Sequence, residues 1–135
     1  MQSVTQSAPA KSGLWAGRIL SALAVLLYAF TATFGLLKPE VAKQGFAHYG
    51  YPESAFLRII LIEVACAIVY AIPRTSILGA IVLTGYLGGA VSTHVRAGEP
   101  FFLPIIVGVV VWLGLYLRDE RLRALVPLRS PNANP

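Results

Sequence analysis

The stretch SILGAIVLTGYLGGAVSTHV, residues 76–95, constrains this chain more than any other. Its 20 residues include no Asp, Glu, Lys or Arg. At ~1.5 Å of rise per residue, a helix of that length crosses a hydrocarbon core of roughly 30 Å. It carries four glycines, Gly79, Gly85, Gly88 and Gly89. In water so much glycine would weaken a helix, whereas in lipid small residues let helix backbones come close. The segment reads as the packing spine of a small membrane helix bundle, and Gly85 and Gly89 form a small-x-x-x-small pair on it.

The composition agrees. Of the 135 residues 13% are charged and mean hydropathy is +0.69, against about a quarter charged in an average soluble domain. The net charge of +5 raises the question of nucleic acid. The basic residues, however, sit between and after apolar runs, as membrane topology requires, and form no binding stripe. A lone cysteine, Cys66, excludes an intramolecular disulfide, a C-x-x-C pair and any multi-cysteine metal site.

Three further apolar runs join the first. Residues 19–37 lie between Arg18 and Lys38-Pro39. This run is longer than a signal-peptide core and no small-x-small cleavage site follows, so an uncleaved helix is expected. Residues 55–72 carry two charges, Arg58 and Glu63, and residues 101–117 are rich in valine, with Trp112 and Tyr116 as interface anchors. The predicted architecture is all-α: an integral membrane four-helix bundle with spans at about 19–37, 55–72, 76–95 and 101–117. Short connections make its neighbours antiparallel. Unbroken apolar runs exclude a β-barrel. Residues 1–13 and 128–135 read as disordered tails around one domain, 14–127. Within it, VAKQGFAHY suits a short interfacial helix and RDERLR a surface helix.

Lys and Arg set the expected orientation. Lys11, Arg18, Arg74, Arg118, Arg121, Arg123 and Arg129 fall on one side, and Lys38, Lys43 and Arg96 on the other, with Arg58 just inside a span. Both termini are therefore expected in the cytoplasm, with the chain in the inner (plasma) membrane.

The chemistry centres on Glu63, near mid-span. An unpaired carboxylate there costs at least ~2.5–3.5 kcal/mol, so it must face the interior and find partners. At matching depth lie Tyr28, Thr84 and Tyr86. Glu63, Cys66, Ala67 and Tyr70 share one helix face. Ser21, Tyr28, Thr31 and Gly35 form a comparable stripe on the first span, and Tyr86, Gly89 and Thr93 on the third. A second group, Lys38, Arg58, His94 and Arg96, gathers at the outer side with His48 above. Arg58 lies about 140° around the helix from Glu63 and is expected to snorkel. Lys38 can reach Glu63, Glu40 or Glu53. Each residue also has a purely structural reading: Glu63 as a register-fixing hydrogen-bonding group, Lys38 and Arg96 as helix-end anchors, His94 as a packed histidine, Cys66 as an inert core residue. Two lone histidines on different elements make no metal site.

A family resemblance rests on GLLKPE at 35–40, YGYPESAFLRIILIEVACAI at 49–68, PRTSILGAIVLTGYLGGAVSTHVRAGEP at 73–100 and VVVWLGLYLRDERLRALVP at 109–127. In order and spacing these resemble the DoxX-like family. The resemblance implies a small bacterial four-helix membrane protein related to membrane subunits of sulfur- or quinone-linked oxidoreductases, with one branch tied to oxidative stress. The family's recurrent polar residues fall on Lys38, Glu63, His94 and Arg96. It supplies no catalytic residue to carry over and no assigned cofactor, and quinone is the candidate ligand. The expected partners are the bilayer and a soluble or membrane redox protein, with self-association through the glycine-rich span and no nucleic acid. The alternative is a non-enzymatic assembly or interaction factor, or a small ligand or proton carrier, with Glu63 as the intramembrane polar site.

Overall fold

A computed structural model describes residues 11–126, and these residues are all-helical, with no strand among them. Six helices follow in order: α1 (Lys11–Leu37), α2 (Pro39–His48), α3 (Ala55–Ala71), α4 (Ser76–Ala97), α5 (Phe102–Arg118) and α6 (Glu120–Leu125). Two of them, α1 with 27 residues and α4 with 22, are long and apolar enough to cross a membrane. The 17-residue α3 and α5 stand at the short end of the range for a span.

The breaks between helices have local causes. Pro39 lacks an amide hydrogen and disfavours helical geometry at Lys38, so α1 stops and α2 begins with proline in its first turn. Gly98 ends α4 in the left-handed region at φ 71°, a conformation glycine adopts without strain. Asp119 caps α6 by accepting from the amides of Arg121 and Leu122.

α1 packs on α5 and α3, and α4 packs on α3 and α5. Named contacts fix the directions. Ser21 meets Tyr70 while Gly35 meets Ile60, so α1 and α3 run antiparallel. Tyr70 meets Gly79 while Glu63 meets Tyr86, so α3 and α4 do too. Thr84 meets Trp112 while Leu87 meets Gly108, which sets α4 against α5. The core inside this arrangement is built from Ala24, Tyr28, Tyr70, Leu83, Val111 and Leu115. Broad outward faces of Leu, Ile, Val and Phe stay exposed, a distribution suited to lipid as the outer solvent.

Two differences from the sequence expectation stand out. Lys11–Gly13, expected in a disordered tail, are helical in α1; residues 1–10 and the tail at 128–135 lie outside the described residues. Gly85, Gly88 and Gly89 are not packing contacts, because a Cβ at any of them would meet nothing within 4 Å. Close approach instead occurs at Gly79, whose Cβ would run into the Tyr70 backbone, and at Gly17 and Gly114, where α1 and α5 touch backbone to backbone.

Candidate functional site

Glu63 is 7% exposed at mid-α3. It lies on the buried face with Cys66, Ala67 and Tyr70 that the helical spacing picks out. Two hydroxyls hold it. The Thr31 hydroxyl of α1 contacts Oε1, and the Tyr86 hydroxyl of α4 donates to Oε2 at 3.2 Å. Thr31 has one hydrogen and also reaches the Leu27 and Tyr28 carbonyls at 3.1 Å, so these three acceptors share one donor. Tyr28 presents its ring edge-on to Tyr86, with centroids 6.3 Å apart. Its hydroxyl is buried and has no hydrogen-bond partner among the described residues.

Tyr86 also forms part of the wall of a cavity of about 350 Å³ on the α2 side of Glu63, shared with Phe46, Tyr49, Tyr51 and His94. Gly85 and Gly89 complete that wall. Since a side chain there would project into free space, these two glycines hold the cavity open. Its size falls within the range of small-molecule sites, and its walls are aromatic with few polar groups, as such sites commonly are.

Polar contacts close the outer rim. The Tyr49 hydroxyl donates to Glu99 Oε2 at 2.7 Å and His48 Nε2 lies 2.7 Å from Oε1. Arg96 donates to the Tyr49 carbonyl at 2.9 Å and stands over the Tyr51 ring. Tyr51 bonds Thr93 at 2.7 Å. His94 gives Nδ1–H to the Ala90 carbonyl at 2.8 Å, which leaves Nε2 as the acceptor of the neutral ring. The bond from His48, then that from Tyr49, holds the Glu99 carboxyl below its ordinary pKa, and Glu99 in return raises Tyr49.

The other expected residues lie apart. Thr84 does not face Glu63: it donates to the Ala80 carbonyl and accepts from Trp112 Nε1 at 2.8 Å, on the opposite side of α4. Lys38 caps α2 and has no carboxylate partner among the described residues; Lys43 takes that place, 2.7 Å from Glu53 and 4.0 Å from Glu40. That pair lowers Glu53 and raises Lys43. Arg58 is exposed on α3, without an ion pair among the described residues. Glu99 and Tyr49 were missed as a pair. Their signal was weak, an acid in a five-residue turn and one tyrosine of a loop containing two. A larger groove, about 780 Å³, opens between α4 and α5. Its lining, including Leu87, Val91, Ile105 and Trp112, offers no ionisable group beyond Tyr116, so it suits an acyl chain better than a polar ligand.

An all-helical fold with outward apolar faces, closed around a buried carboxylate, suits a small membrane protein. A model of the DoxX-like family matches residues 19–114, and the chain belongs to that family. No curated protein and no solved structure matches it.

Proposed function

We propose that this DoxX-like membrane protein crosses the plasma membrane four times, as an antiparallel bundle with both termini in the cytoplasm, and that the cavity beside Glu63 takes a quinone-type ring on behalf of a membrane oxidoreductase or redox-stress system. The observation that carries the reading is Tyr86. It touches Glu63 with its hydroxyl and lines the aromatic cavity with its ring. A flat lipophilic molecule with carbonyl oxygens matches aromatic walls at Phe46, Tyr49 and Tyr51 with polar groups at Tyr86, Thr93 and His94. The chain would bind and orient the ring and exchange a proton with it through Tyr86 and Glu63. The electrons would come from a partner protein, since the sequence carries no flavin, haem-attachment or iron–sulfur motif. The excess of Lys and Arg on the terminal side supports the orientation.

The test is purification in mild detergent, with and without co-purifying partners, followed by mass spectrometry of the extracted lipid. Quinone is expected with the wild type and lost from Gly89→Leu, whose side chain fills the cavity while the melting temperature holds. Absence of quinone from wild type in both preparations would overturn the reading.

One observation favours the alternative, a non-enzymatic assembly or interaction factor or a small proton or ligand carrier. Both Glu63 oxygens are engaged by neighbouring helices, as a residue that fixes register would require. Glu63→Gln separates the two. An amide preserves much of the hydrogen bonding but cannot exchange a proton. Intact folding with a lost cellular phenotype supports the ionisable site, and intact folding with an intact phenotype supports the structural role.

A further inference from the structure

At the opposite end from the aromatic cavity, where α1 begins and α5 ends, a second cavity of about 390 Å³ opens between these helices and the end of α3. Two arginines line it, Arg18 from α1 and Arg118 from α5. The backbone contact at Gly17 and Gly114 brings them together, because those glycines let the two helices touch one residue before Arg18 and four before Arg118. Arg118 is held in place. Its Nε donates to Ser21 Oγ at 2.9 Å, its guanidinium lies 5.6 Å from the Tyr70 ring centre, and Tyr70 bonds the same Ser21 hydroxyl at 3.0 Å. Its terminal nitrogens have no acceptor among the described residues. Arg18 stands over the Trp15 ring and likewise has none.

No carboxylate lies within ion-pair distance of either arginine among the described residues. The nearest acid in sequence, Asp119, uses Oδ1 to cap α6. Two arginines, one fixed by hydrogen bonding, thus line one cavity with no acid of the described residues paired to either. Arginine's planar fork suits phosphate oxygens. Beyond Ser21 and Tyr70 the wall is apolar, with Ala22, Val25 and Leu26 continuing along α1 away from the arginines. A cationic mouth leading to an apolar wall has the polarity profile of a phospholipid.

We propose that this cavity binds the phosphate of an anionic phospholipid, with Arg18 and Arg118 on the headgroup oxygens and one acyl chain along Val25 and Leu26. The site is separate from Glu63 and stands whether or not the quinone reading holds. Basic pockets between membrane helices are a recurrent means of retaining such lipids.

The test is native mass spectrometry of the full chain in detergent, titrated with phosphatidylglycerol and with phosphatidylcholine of matched chains, with inorganic phosphate as competitor. Phosphatidylglycerol is expected to bind at least about tenfold more tightly, the effect of charge-assisted hydrogen bonding. Arg18→Gln, which breaks no hydrogen bond of the fold, and Arg118→Gln should each remove most of that preference. Arg118→Lys should restore part of it, and Arg74→Gln, an exposed arginine at the same end outside the cavity, should leave it intact. Equal binding of the two lipids, an equal loss in Arg74→Gln, or an unchanged preference in Arg18→Gln would overturn the proposal. Displacement of the lipid by millimolar phosphate would replace it with a soluble-anion site.

Discussion

Glycine has two opposite uses in this molecule, and the difference is what a methyl group would meet. At Gly79 it would run into the Tyr70 backbone, a neighbour that cannot turn aside. Gly79→Ala is expected to lower stability by about 1–3 kcal/mol or more, as overpacking does, read as a drop in melting temperature in detergent. At Gly88 it would meet open space. Gly88→Ala should leave the melting temperature unchanged or raise it, within about 1 kcal/mol of helix propensity. Tyr70 itself is fully buried, and its hydroxyl donates to the Val111 carbonyl while contacting Ser21. Tyr70→Phe is expected to cost about 1 kcal/mol, in line with hydrogen bonds measured between membrane helices. The sequence shows that α4 is rich in glycine but not which glycine faces a neighbour. That depends on how α4 is rotated about its axis, and its residues are small or apolar nearly all round. Glu63 was easier to place, because a mid-span carboxylate has only one tolerable direction, inward.

Among the elements, α2 is the one held mainly by its ends. Phe46 packs edge-on against Phe56 and Tyr51, and none of the ten residues of α2 is buried. Its charged ties are Lys43 to Glu53 and, through His48 and Tyr49, Glu99. Both glutamates are held below their ordinary pKa, Glu53 by Lys43 and Glu99 by His48 and then Tyr49. A carboxyl with a depressed folded pKa stabilises above its unfolded value, near 4.3, and that contribution is lost as pH falls through the lower folded value. Lys43, raised in the fold, contributes below its unfolded pKa, near 10.4, and loses that contribution as pH rises through the folded one. Protection of the amides across residues 39–51, corrected for the intrinsic pH dependence of exchange, is therefore expected to be greatest between these limits and to fall below about pH 4. In Glu99→Gln the acid-side loss of protection should diminish and protection should already be lower at neutral pH. The sequence marked α2 by its proline and its aromatic–basic mixture. It could not reveal the clasp to Glu99, whose partners lie about 50 positions away.

For the molecule as a whole, the proposed orientation can be tested with one reagent. Cys66 is buried and is the one cysteine of the chain, so Cys66→Ala gives a thiol-free background. Gly45 has open space around it on α2. In that background Gly45→Cys should react with a membrane-impermeant maleimide added to intact cells, and Ser12→Cys should react only after the membrane is opened. The reverse pattern would invert the bundle. The number and order of the helices were legible because four apolar runs and the prolines between them are local signals. The two polar ends of the molecule were not, because each is assembled from residues far apart in the chain. Ser21 and Arg118, bonded at 2.9 Å, stand 97 positions apart. That separation also bears on how the protein is made. α1 leaves the ribosome first, yet its most extensive partner is α5, the last long helix. Until α5 emerges, Tyr70 lacks the Val111 carbonyl, Ser21 lacks Arg118, and the bare backbone at Gly17 has nothing against it. A nascent chain stopped after α4 would thus leave the Ser21–Tyr70 pair and the Gly17 backbone uncovered. The bundle closes only once α5 has emerged, and a product truncated before it would carry its own mark of incompleteness.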